Sequence, residues 1–302
     1  MRKIAFAIVA LINSYYVEAK IVIDTPQTGG LFSVADKPEL ISKQFSFTEG
    51  ASVDKKGNVF FTDQPNNKIW EYSADGKLSL WMDSTLRSNG TYFDAKGNLI
   101  SCADEHDQLI SISTKKRITV LVNDFDGKLM NGPNDVWVAP NGAIYITDPY
   151  YQRDWWTRKK PDLQSQDVYY LAKGSHSPVV VVNDMKQPNG IVGTPDGKYL
   201  YIADIAANKT YKYAIQPTGD LTEKQLFCEQ GSDGMTLDKK GNVYLTGKGV
   251  TVFNPRGEKI AHIDIPEPWT ANLCFAGKHK DYLFITASKA IYTIKMNVKG
   301  VE

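Results

Sequence analysis

One phrase recurs along the chain: a short strand, a tight turn that ends in glycine, and a second apolar strand. The turn glycines are Gly57, Gly97, Gly142, Gly197 and Gly241. Their successive spacings are 40, 45, 55 and 44 residues, and a degraded sixth copy has Lys280 at its turn, 39 residues after the last glycine. Glycine supplies the positive φ that a hairpin turn requires, so each copy predicts two antiparallel strands.

A period near forty residues, with aromatic and β-branched strands and no helical periodicity, is typical of four-stranded blades. Six copies therefore predict an all-β fold, a six-bladed β-propeller with a central metal site, whose radial closure leaves no long open sheet edge. A pair of β-sandwiches is the alternative, but it does not explain the period.

The first residues have a different character. Arg2 and Lys3 precede an apolar run of nine residues, 4–12, which is too short to span a bilayer. A small-residue cleavage pattern, VEA, follows at 17–19. We predict a signal peptide over residues 1–19 and one propeller domain over 20–302, exported to the periplasm or secreted, with no membrane span in the mature chain. An apolar N-terminal strand is the alternative.

Composition excludes some partners. The 302 residues carry a formal net charge of +1, so the basic face that nucleic-acid binding needs is not expected. The cysteines Cys102, Cys228 and Cys274 lack metal-type spacing, and we expect small buried hydrophobic side chains rather than a disulfide framework. Both a monomer and a dimer are compatible with the sequence.

A polar residue stands eight positions before each turn residue, where it opens the first strand of its blade. These six, the ring residues, are Glu49, Asn89, Asn134, Asn189, Asp233 and Asn272. The first strand of a blade lines the axis of a propeller, so we expect the ring residues to converge at one end of the channel. Local capping of strand ends by Asn and Asp is the alternative explanation.

The donor set of this ring points to a hard cation. Two carboxylates and several amide oxygens, without His or Cys, suit Ca²⁺ first. Mg²⁺, Mn²⁺ or Zn²⁺ are possible substitutes, although zinc normally recruits imidazole or thiolate. Without a cation, Glu49 and Asp233 would repel each other, and one would take up a proton.

Short motifs surround the ring residues. They are TEG at 48–50, PNDV at 133–136, QPNGI at 187–191, DGKYLYIAD at 196–204, SDGM at 232–235 and ANL at 271–273. With these motifs in order at blade spacing, nearly all of the chain after residue 40 resembles the gluconolactonase, senescence-marker-protein and luciferin-regenerating-enzyme group of six-bladed propellers.

The resemblance implies roles for individual residues. Glu49, Asn134, Asn189 and Asp233 would be metal ligands, and Asp233 would also be the catalytic base. The family pattern gives Asn89 and Asn272 no clear ligand role. Animal members carry an Arg two places before the Asn of the second motif, where this chain has Gly132. The substrate contacts must therefore differ from those of the animal proteins.

The leading hypothesis is a calcium-dependent hydrolase that opens a sugar lactone or a related ester. The cation would polarise the carbonyl, and Asp233 would activate water. Because binding to a cation lowers the pKa of a carboxylate, a water held by the cation, oriented by Asp233, is the alternative nucleophile. Two further hypotheses are different chemistry on an oxidised or phosphorylated sugar, and a non-catalytic carbohydrate-binding propeller with structural calcium.

Loops that follow the second strand of each blade share the ring's end of the channel. The second blade has DEHD at 104–107, and the third, longest repeat has DPYY at 148–151 and DWWTR at 154–158. Paired Trp and an Arg suit a sugar-binding lid, whereas packing of the Trp pair on the next blade is the alternative. The predicted substrate contacts are Asn89, His106, Asp135, Tyr150, Trp155, Arg158 and Asn272.

Overall fold

The computed structural model describes residues 30–33 and 35–301. In this part of the chain, 24 strands form six four-stranded antiparallel sheets, which confirms the predicted six-bladed propeller. The predicted signal peptide, residues 1–19, lies outside the described residues. No described helix is long and apolar enough to cross a membrane.

The first three blades follow one another along the chain, each running from the axis outwards. The first blade contains β2 (Thr48–Val53), β3 (Val59–Asp63), β4 (Lys68–Tyr72) and β5 (Leu78–Asp83), with a short 3-10 helix at Gln64–Asn66. The second contains β6 (Ser88–Phe93), β7 (Leu99–Ala103), β8 (Gln108–Ile112) and β9 (Ile118–Val122). The third contains β10 (Val136–Val138), β11 (Ile144–Asp148), β12 (Asp167–Leu171) and β13 (Val179–Val182).

The last three blades repeat this order, except at the outer edge of the sixth. The fourth contains β14 (Pro188–Gly193), β15 (Tyr199–Asp204), β16 (Lys209–Ile215) and β17 (Leu221–Cys228). The fifth contains β18 (Met235–Leu237), β19 (Val243–Leu245), β20 (Val250–Phe253) and β21 (Lys259–Ile263). The sixth contains β22 (Thr270–Ala276), β23 (Tyr282–Ala287), β24 (Ala290–Lys295) and, as its outer strand, β1 (Glu39–Ser42).

The ring of blades is closed by strand β1. It pairs antiparallel with β24, where Glu39 faces Thr293 and Leu40 faces Tyr292. The sixth sheet is therefore built from both ends of the described chain, and the six inner strands contact one another in sequence around the axis. Radial closure of this kind leaves only short strand edges exposed.

The recurring turn is held by its own side chains. In the first blade, Asp54 Oδ1 accepts hydrogen bonds from the backbone N–H groups of Lys56 (2.8 Å) and Asn58 (2.9 Å), and Asn58 Nδ2 donates to Asp54 Oδ2 (2.9 Å). The same three bonds recur from Asp94 and from Asp238. An Asp that organises its own turn explains the regularity of the hairpins.

Apolar side chains between neighbouring sheets form the core. Phe284 on β23 is fully buried, and its ring centroid lies 5.4 Å from that of Phe61 and 5.6 Å from that of Tyr72. The sixth and first blades are thus joined by aromatic packing across the closure. The three cysteines are buried and free, as predicted.

We predict that Phe284→Ala lowers the free energy of unfolding by about 3–5 kcal/mol, because it leaves a cavity where three rings meet. The control is Tyr282→Ala on the same strand, where the side chain is 43% exposed and the expected loss is below about 1 kcal/mol. Urea titration followed by circular dichroism measures both. Equal losses would contradict a shared core across the sixth and first blades.

Candidate metal and catalytic centre

The ring residues meet at one end of the channel, as predicted. Of the six, Glu49, Asn89, Asn134, Asn189 and Asp233 line a cavity of about 390 Å³, here called the ring cavity. Asn272 is buried beside it and donates from Nδ2 to Glu49 Oε2 at 3.3 Å. A cavity of this size is suited to a small-molecule ligand.

Interruptions of the inner strands expose the ring residues to the axis. The register of β2 against β3 shifts between Glu49 and Ser52, and that of β14 against β15 shifts between Pro188 and Ile191. Similar shifts occur next to Asn89 and Asn272, whereas Asn134 and Asp233 lie just before β10 and β18. A β-bulge changes the direction in which a side chain points. The ring side chains therefore point to the axis rather than into the packing between neighbouring sheets.

Glycine follows four of the ring residues because neighbouring inner strands approach closely. A Cβ atom on Gly50 would lie 2.0 Å from the carbonyl oxygen of Asn89, and one on Gly190 would lie 2.7 Å from that of Asp233. A Cβ atom on Gly90 would lie 2.4 Å from the carbonyl oxygen of Asn134, and one on Gly234 would lie 2.4 Å from Cγ of the Asn272 side chain. Each glycine thus lets its blade pack directly against the ring residue of the next.

An aspartate at the end of the second strand anchors the chain as it enters the inner strand. Asp63 Oδ1 accepts from the N–H groups of Ser46 (3.0 Å) and Phe47 (3.2 Å). Asp148 in the third blade and Asp204 in the fourth each accept two N–H groups in the same way. In the second blade the corresponding strand end is Ala103, and Asp104 follows it.

The two carboxylates of the ring are buried and share one cavity. Glu49 Oε2 accepts from the N–H of Gly50 at 2.6 Å. Burial raises the pKa of Glu49 well above its usual range, and the charge of Asp233 raises it further. Burial also raises the pKa of Asp233 to about 6, although hydrogen bonds from Trp269 and Asn189 and the charge of Arg153 oppose this. The two groups cannot both ionise cheaply without a counter-charge.

Two buried amide oxygens of the ring residues also lack a partner in the described part of the chain. Asn189 Nδ2 donates to the hydroxyl of Tyr151 at 3.0 Å, but Asn189 Oδ1 and Asn89 Oδ1 are buried and have no hydrogen-bond partner in the described structure. Leaving a buried acceptor unsatisfied costs about 1–3 kcal/mol. Within residues 30–33 and 35–301, no three His, Cys, Asp or Glu side chains cluster in a way that could hold a metal ion. A cation held in this cavity would have to take amide oxygens as ligands beside the two carboxylates.

Asp135, predicted as a substrate contact, does not line the ring cavity. It is 6% exposed and its Oδ1 accepts from the N–H of Val136 at 2.9 Å. Its charge acts on the cavity indirectly, since it helps to raise the pKa of Glu49.

The loop 149–166 between β11 and β12, here called the lid, packs on the second blade. Trp156 Nε1 donates to the carbonyl oxygen of Asp104 at 2.6 Å, and Trp155 Nε1 approaches the same oxygen at 3.3 Å. Arg87 stacks over the ring of Trp155 at 4.4 Å. The Trp pair is thus engaged by the neighbouring blade, which is the alternative that the sequence left open, and contact of Trp155 with a substrate stays a prediction.

Three other predicted contacts also lie outside the ring cavity wall. Arg158 Nη2 donates to the carbonyl oxygen of Asn131 at 2.5 Å and pairs with Asp107 at 2.8 Å, so it braces the lid. Tyr150 donates its hydroxyl to Gln152 within the lid, and His106 is exposed. None of these three lines the ring cavity in the described structure.

The side chains that complete the ring cavity were not singled out by the sequence. They include Gln64, Tyr151, Arg153, Gln187 and Trp269. Trp269 Nε1 donates to Asp233 Oδ2 at 2.6 Å, although the side chain is 37% exposed. Each of the five lies in a segment that precedes an inner strand or follows a second strand. These segments are the ones that meet at the ring end of the channel.

A second cavity of about 470 Å³ opens at the turn end, between the first two blades. Its walls include Phe60, Trp81 and Phe93, and no ring residue lines it. Charged turn residues such as Lys56, Asp94 and Lys96 also line it.

Comparison with known proteins agrees with this site. The family profile described as "SMP-30/Gluconolactonase/LRE-like region" matches residues 47–289, which include all six ring residues. A gluconolactonase of Zymomonas mobilis is 25% identical over 315 residues, covering 93% of this chain and 87% of that protein.

Two solved structures share the fold. A gluconolactonase of Xanthomonas campestris has a TM-score of 0.82 at 23% identity, covering 90% of this chain and 93% of that one. Regucalcin of Agrobacterium tumefaciens, described as a calcium-binding protein, has a TM-score of 0.73 at 20% identity, covering 88% of this chain and 95% of that one.

Glu49 generates a pH-dependent prediction for the protein in chelator. Because its folded-state pKa is raised, the stability that its neutral carboxyl supplies is present below the unfolded-state pKa and is lost as pH rises through the folded-state value. We expect Glu49→Gln to match the wild type near pH 4 and to be more stable near pH 8. The gain is roughly 1.4 kcal/mol for every pH unit that separates the folded-state pKa from the unfolded-state pKa.

Chemical unfolding of both proteins at the two pH values measures this difference. The control is Glu39→Gln, which replaces an exposed carboxylate and should show no dependence of this kind. A Glu49→Gln protein that is equally destabilised at both pH values would contradict the prediction.

Proposed function

Because the chain belongs to the SMP-30/gluconolactonase/LRE-like family, we propose that the ring cavity hydrolyses a sugar lactone or a related ester with the help of one divalent cation, with Ca²⁺ as the first candidate. The observation that carries the proposal is the pairing of two buried carboxylates with two unpartnered amide oxygens in one cavity. The similarity to the gluconolactonase of Zymomonas mobilis supports a lactone as the substrate.

The residues that would hold the cation are Glu49, Asn134, Asn189 and Asp233. Glu49 and Asp233 supply two negative charges, and Asn189 supplies an amide oxygen that has no donor in the described structure. This hard-oxygen set suits Ca²⁺ better than zinc. When bound, such a cation would polarise the lactone carbonyl and stabilise the negative charge that develops on its oxygen.

Asp233 is the group to which we assign proton transfer. Trp269 occupies its Oδ2 at 2.6 Å and orients the carboxylate, so Oδ1 is the oxygen assigned to receive a proton from water. Burial raises the pKa of Asp233 to about 6 in the absence of a cation, and a bound cation would lower it, so the carboxylate would be ionised and able to accept a proton near neutral pH. The water oxygen bonds to the carbonyl carbon, the ring C–O bond breaks, and the proton passes to the departing ring oxygen to give a hydroxy acid.

Other side chains shape the space around the reacting bond. Tyr151 and Trp269 border the ring cavity with partly apolar surfaces, and the hydroxyl of Tyr151 accepts from Asn189 Nδ2. This contact orients the Asn189 amide, which turns its oxygen to a fixed position. The volume of about 390 Å³ accommodates one sugar ring with little room for bulk water.

Export is a separate proposal. It depends on the basic start, apolar run and cleavage pattern of residues 1–19. Detection of a mature chain beginning near residue 20, by N-terminal sequencing of the secreted or periplasmic fraction, tests it.

For the metal, we predict that Asn189→Leu weakens Ca²⁺ binding by about 10- to 100-fold, because it removes an amide oxygen that has no other partner. Isothermal titration calorimetry measures this. The control is Asn141→Leu, which replaces an exposed amide at the turn of the third blade and does not line the ring cavity. Its expected loss is under about threefold. Equal losses in the two variants would contradict the role of Asn189.

For the reaction, we predict that the wild type opens sugar lactones in the presence of a divalent cation and loses activity in chelator. Asp233→Asn should lower kcat by about 10²- to 10⁴-fold, because proton transfer from water is lost. A panel of aldonolactones followed by pH-stat titration measures this, with the exposed Asp264→Asn as control.

Calcium titration of Asp233→Asn separates the two roles of this residue. If the variant still binds Ca²⁺ but does not turn over, the base role is supported. No hydrolysis of any lactone by the wild type at any divalent-metal concentration would overturn the proposed function.

A further inference from the structure

Arg153, in the lid, brings a positive charge to the ring cavity. Of the described residues that line this cavity, it is the one basic side chain. Its Nε donates to Asp104 Oδ2 at 2.5 Å, and its side chain is 22% exposed. Its charge opposes the rise in the pKa of Asp233 and of Tyr151, as a guanidinium near both groups would.

The carboxylate of Asp104 accepts a hydrogen bond from one edge of the Arg153 guanidinium. This aspartate is 1% exposed, and its Oδ2 also accepts from Gln64 Nε2 at 2.7 Å. The contact to Asp104 uses Nε, whereas Nη1 and Nη2 have no hydrogen bond among the described residues. Arginine binds carboxylate and phosphate with two parallel donors in a fixed fork. Arg153 is therefore pre-oriented and retains donors for a ligand.

The second blade departs from its neighbours to provide this anchor. In the first blade, the aspartate at the end of the second strand, Asp63, accepts backbone N–H groups from its own blade. Asp104 lies one residue beyond the end of β7, and its carboxylate turns instead to Gln64 of the first blade and to Arg153 of the lid. Asp104 is thus an additional carboxylate beside the position of the backbone anchors, and the groups that it accepts from include the side chain of Arg153.

Gly132, at the entry to β10, has no room for a side chain. A Cβ atom on Gly132 would lie 2.8 Å from Trp156 Cη2 and 2.9 Å from Asp104 Oδ1, and the backbone φ is +135°. No side chain fits there while the lid packs on the second blade. The chain therefore reaches the cavity with a guanidinium from the lid rather than from the entry to β10.

Anchoring of the lid does not by itself explain Arg153. Arg158 already braces the lid through Asp107 and the carbonyl oxygen of Asn131, away from the cavity wall. Trp156 adds a hydrogen bond of 2.6 Å to Asp104. Arg158 and Trp156 thus attach the lid without lining the cavity. Arg153 differs from both residues because it lines the cavity.

We propose that Arg153 forms an anion subsite, and that the substrates of this chain are lactones that carry a carboxylate or a phosphate on the sugar. This inference rests on the proposed lactonase function, since it names the substrate class of the same cavity. The anionic group meets the Nη1 and Nη2 donors of Arg153, while the carbonyl of the lactone lies at the ring residues. Arg153 is a specificity-determining residue and takes no part in proton transfer.

Matched lactones test the subsite. D-glucaro-1,4-lactone and D-glucono-1,4-lactone differ in a carboxylate at the sixth carbon, and 6-phospho-D-glucono-1,5-lactone is compared with its unphosphorylated form. We expect the wild type to prefer at least one anionic member by about tenfold or more in kcat/KM, because charge-assisted hydrogen bonds contribute that much. The phosphate and carboxylate arms identify which anion is preferred.

Variants separate recognition from lid structure. Arg153→Gln should lower kcat/KM for the preferred anionic lactone by about 10- to 100-fold, mainly through KM, and lower it less for the neutral partner. Arg153→Lys, which keeps the charge but not the fork, should retain part of the preference. The control is Arg87→Gln. Arg87 stacks on Trp155 of the lid but does not line the ring cavity, so this variant should keep the preference for the anionic lactone. Equal losses on both members of a pair, or no anionic preference in the wild type, would overturn the subsite.

A binding measurement keeps this test independent of turnover. Methyl α-D-glucopyranosiduronic acid and methyl α-D-glucopyranoside form a pair without a lactone, and saturation-transfer NMR with the calcium-loaded protein compares them. Tighter binding of the uronic acid that is lost in Arg153→Gln supports the subsite even where no lactone is hydrolysed. Equal binding of the pair, or binding of neither, overturns it.

Discussion

The close approach of the inner strands at the propeller axis is the constraint on which the site depends. A Cβ atom after Glu49, at Gly50, would lie 2.0 Å from a carbonyl oxygen of the second blade. With glycine at this position and at three equivalent ones, four of the six blades pack directly against the ring residue of the next. The packing that closes the ring of blades therefore also brings two carboxylates and several amides into one cavity of about 390 Å³.

The same packing creates the electrostatic problem that a cation would solve. Burial raises the pKa of both Glu49 and Asp233, and the charge of Asp233 raises that of Glu49 further. The glycines hold the strands close together, and Asn189 Oδ1 is buried without a donor in the described structure. Neutral carboxyl groups relieve the repulsion at low pH, whereas near neutral pH the proposed divalent cation would relieve it. The fold thus concentrates oxygen ligands that need a partner from outside the chain.

The sequence predicted the fold and the ring because both depend on local, periodic chemistry. The turn that Asp54 and Gly57 organise depends only on nearby residues, so its recurrence along the chain predicts the number of blades. The polar residue found eight positions before each turn residue predicts the ring. The lid could not be predicted in this way. Nothing in the lid sequence distinguishes one arginine from the other. Packing alone decides that Arg158 pairs with Asp107 whereas Arg153 lines the cavity. Trp269 was missed for a similar reason, since its role depends on one long-range contact to Asp233.

The residues proposed for the reaction and the residue proposed for specificity lie on different elements of this chain. The ring residues lie on or just before short inner strands, which bulges, glycines and aspartate anchors hold in place. The lid is tied to the second blade through the buried Asp104, which links Gln64, Arg153 and Trp156. A substitution in the lid can change the group at the cavity wall while the ring residues stay in place, because Asp104 lies between the two. Replacing the Asp104 side chain would release Arg153 and Gln64, whereas Trp156 would keep its hydrogen bond to the backbone carbonyl oxygen of Asp104. The carboxylate of Asp104 therefore fixes Arg153 at the cavity wall, and the main chain of the same residue fixes Trp156.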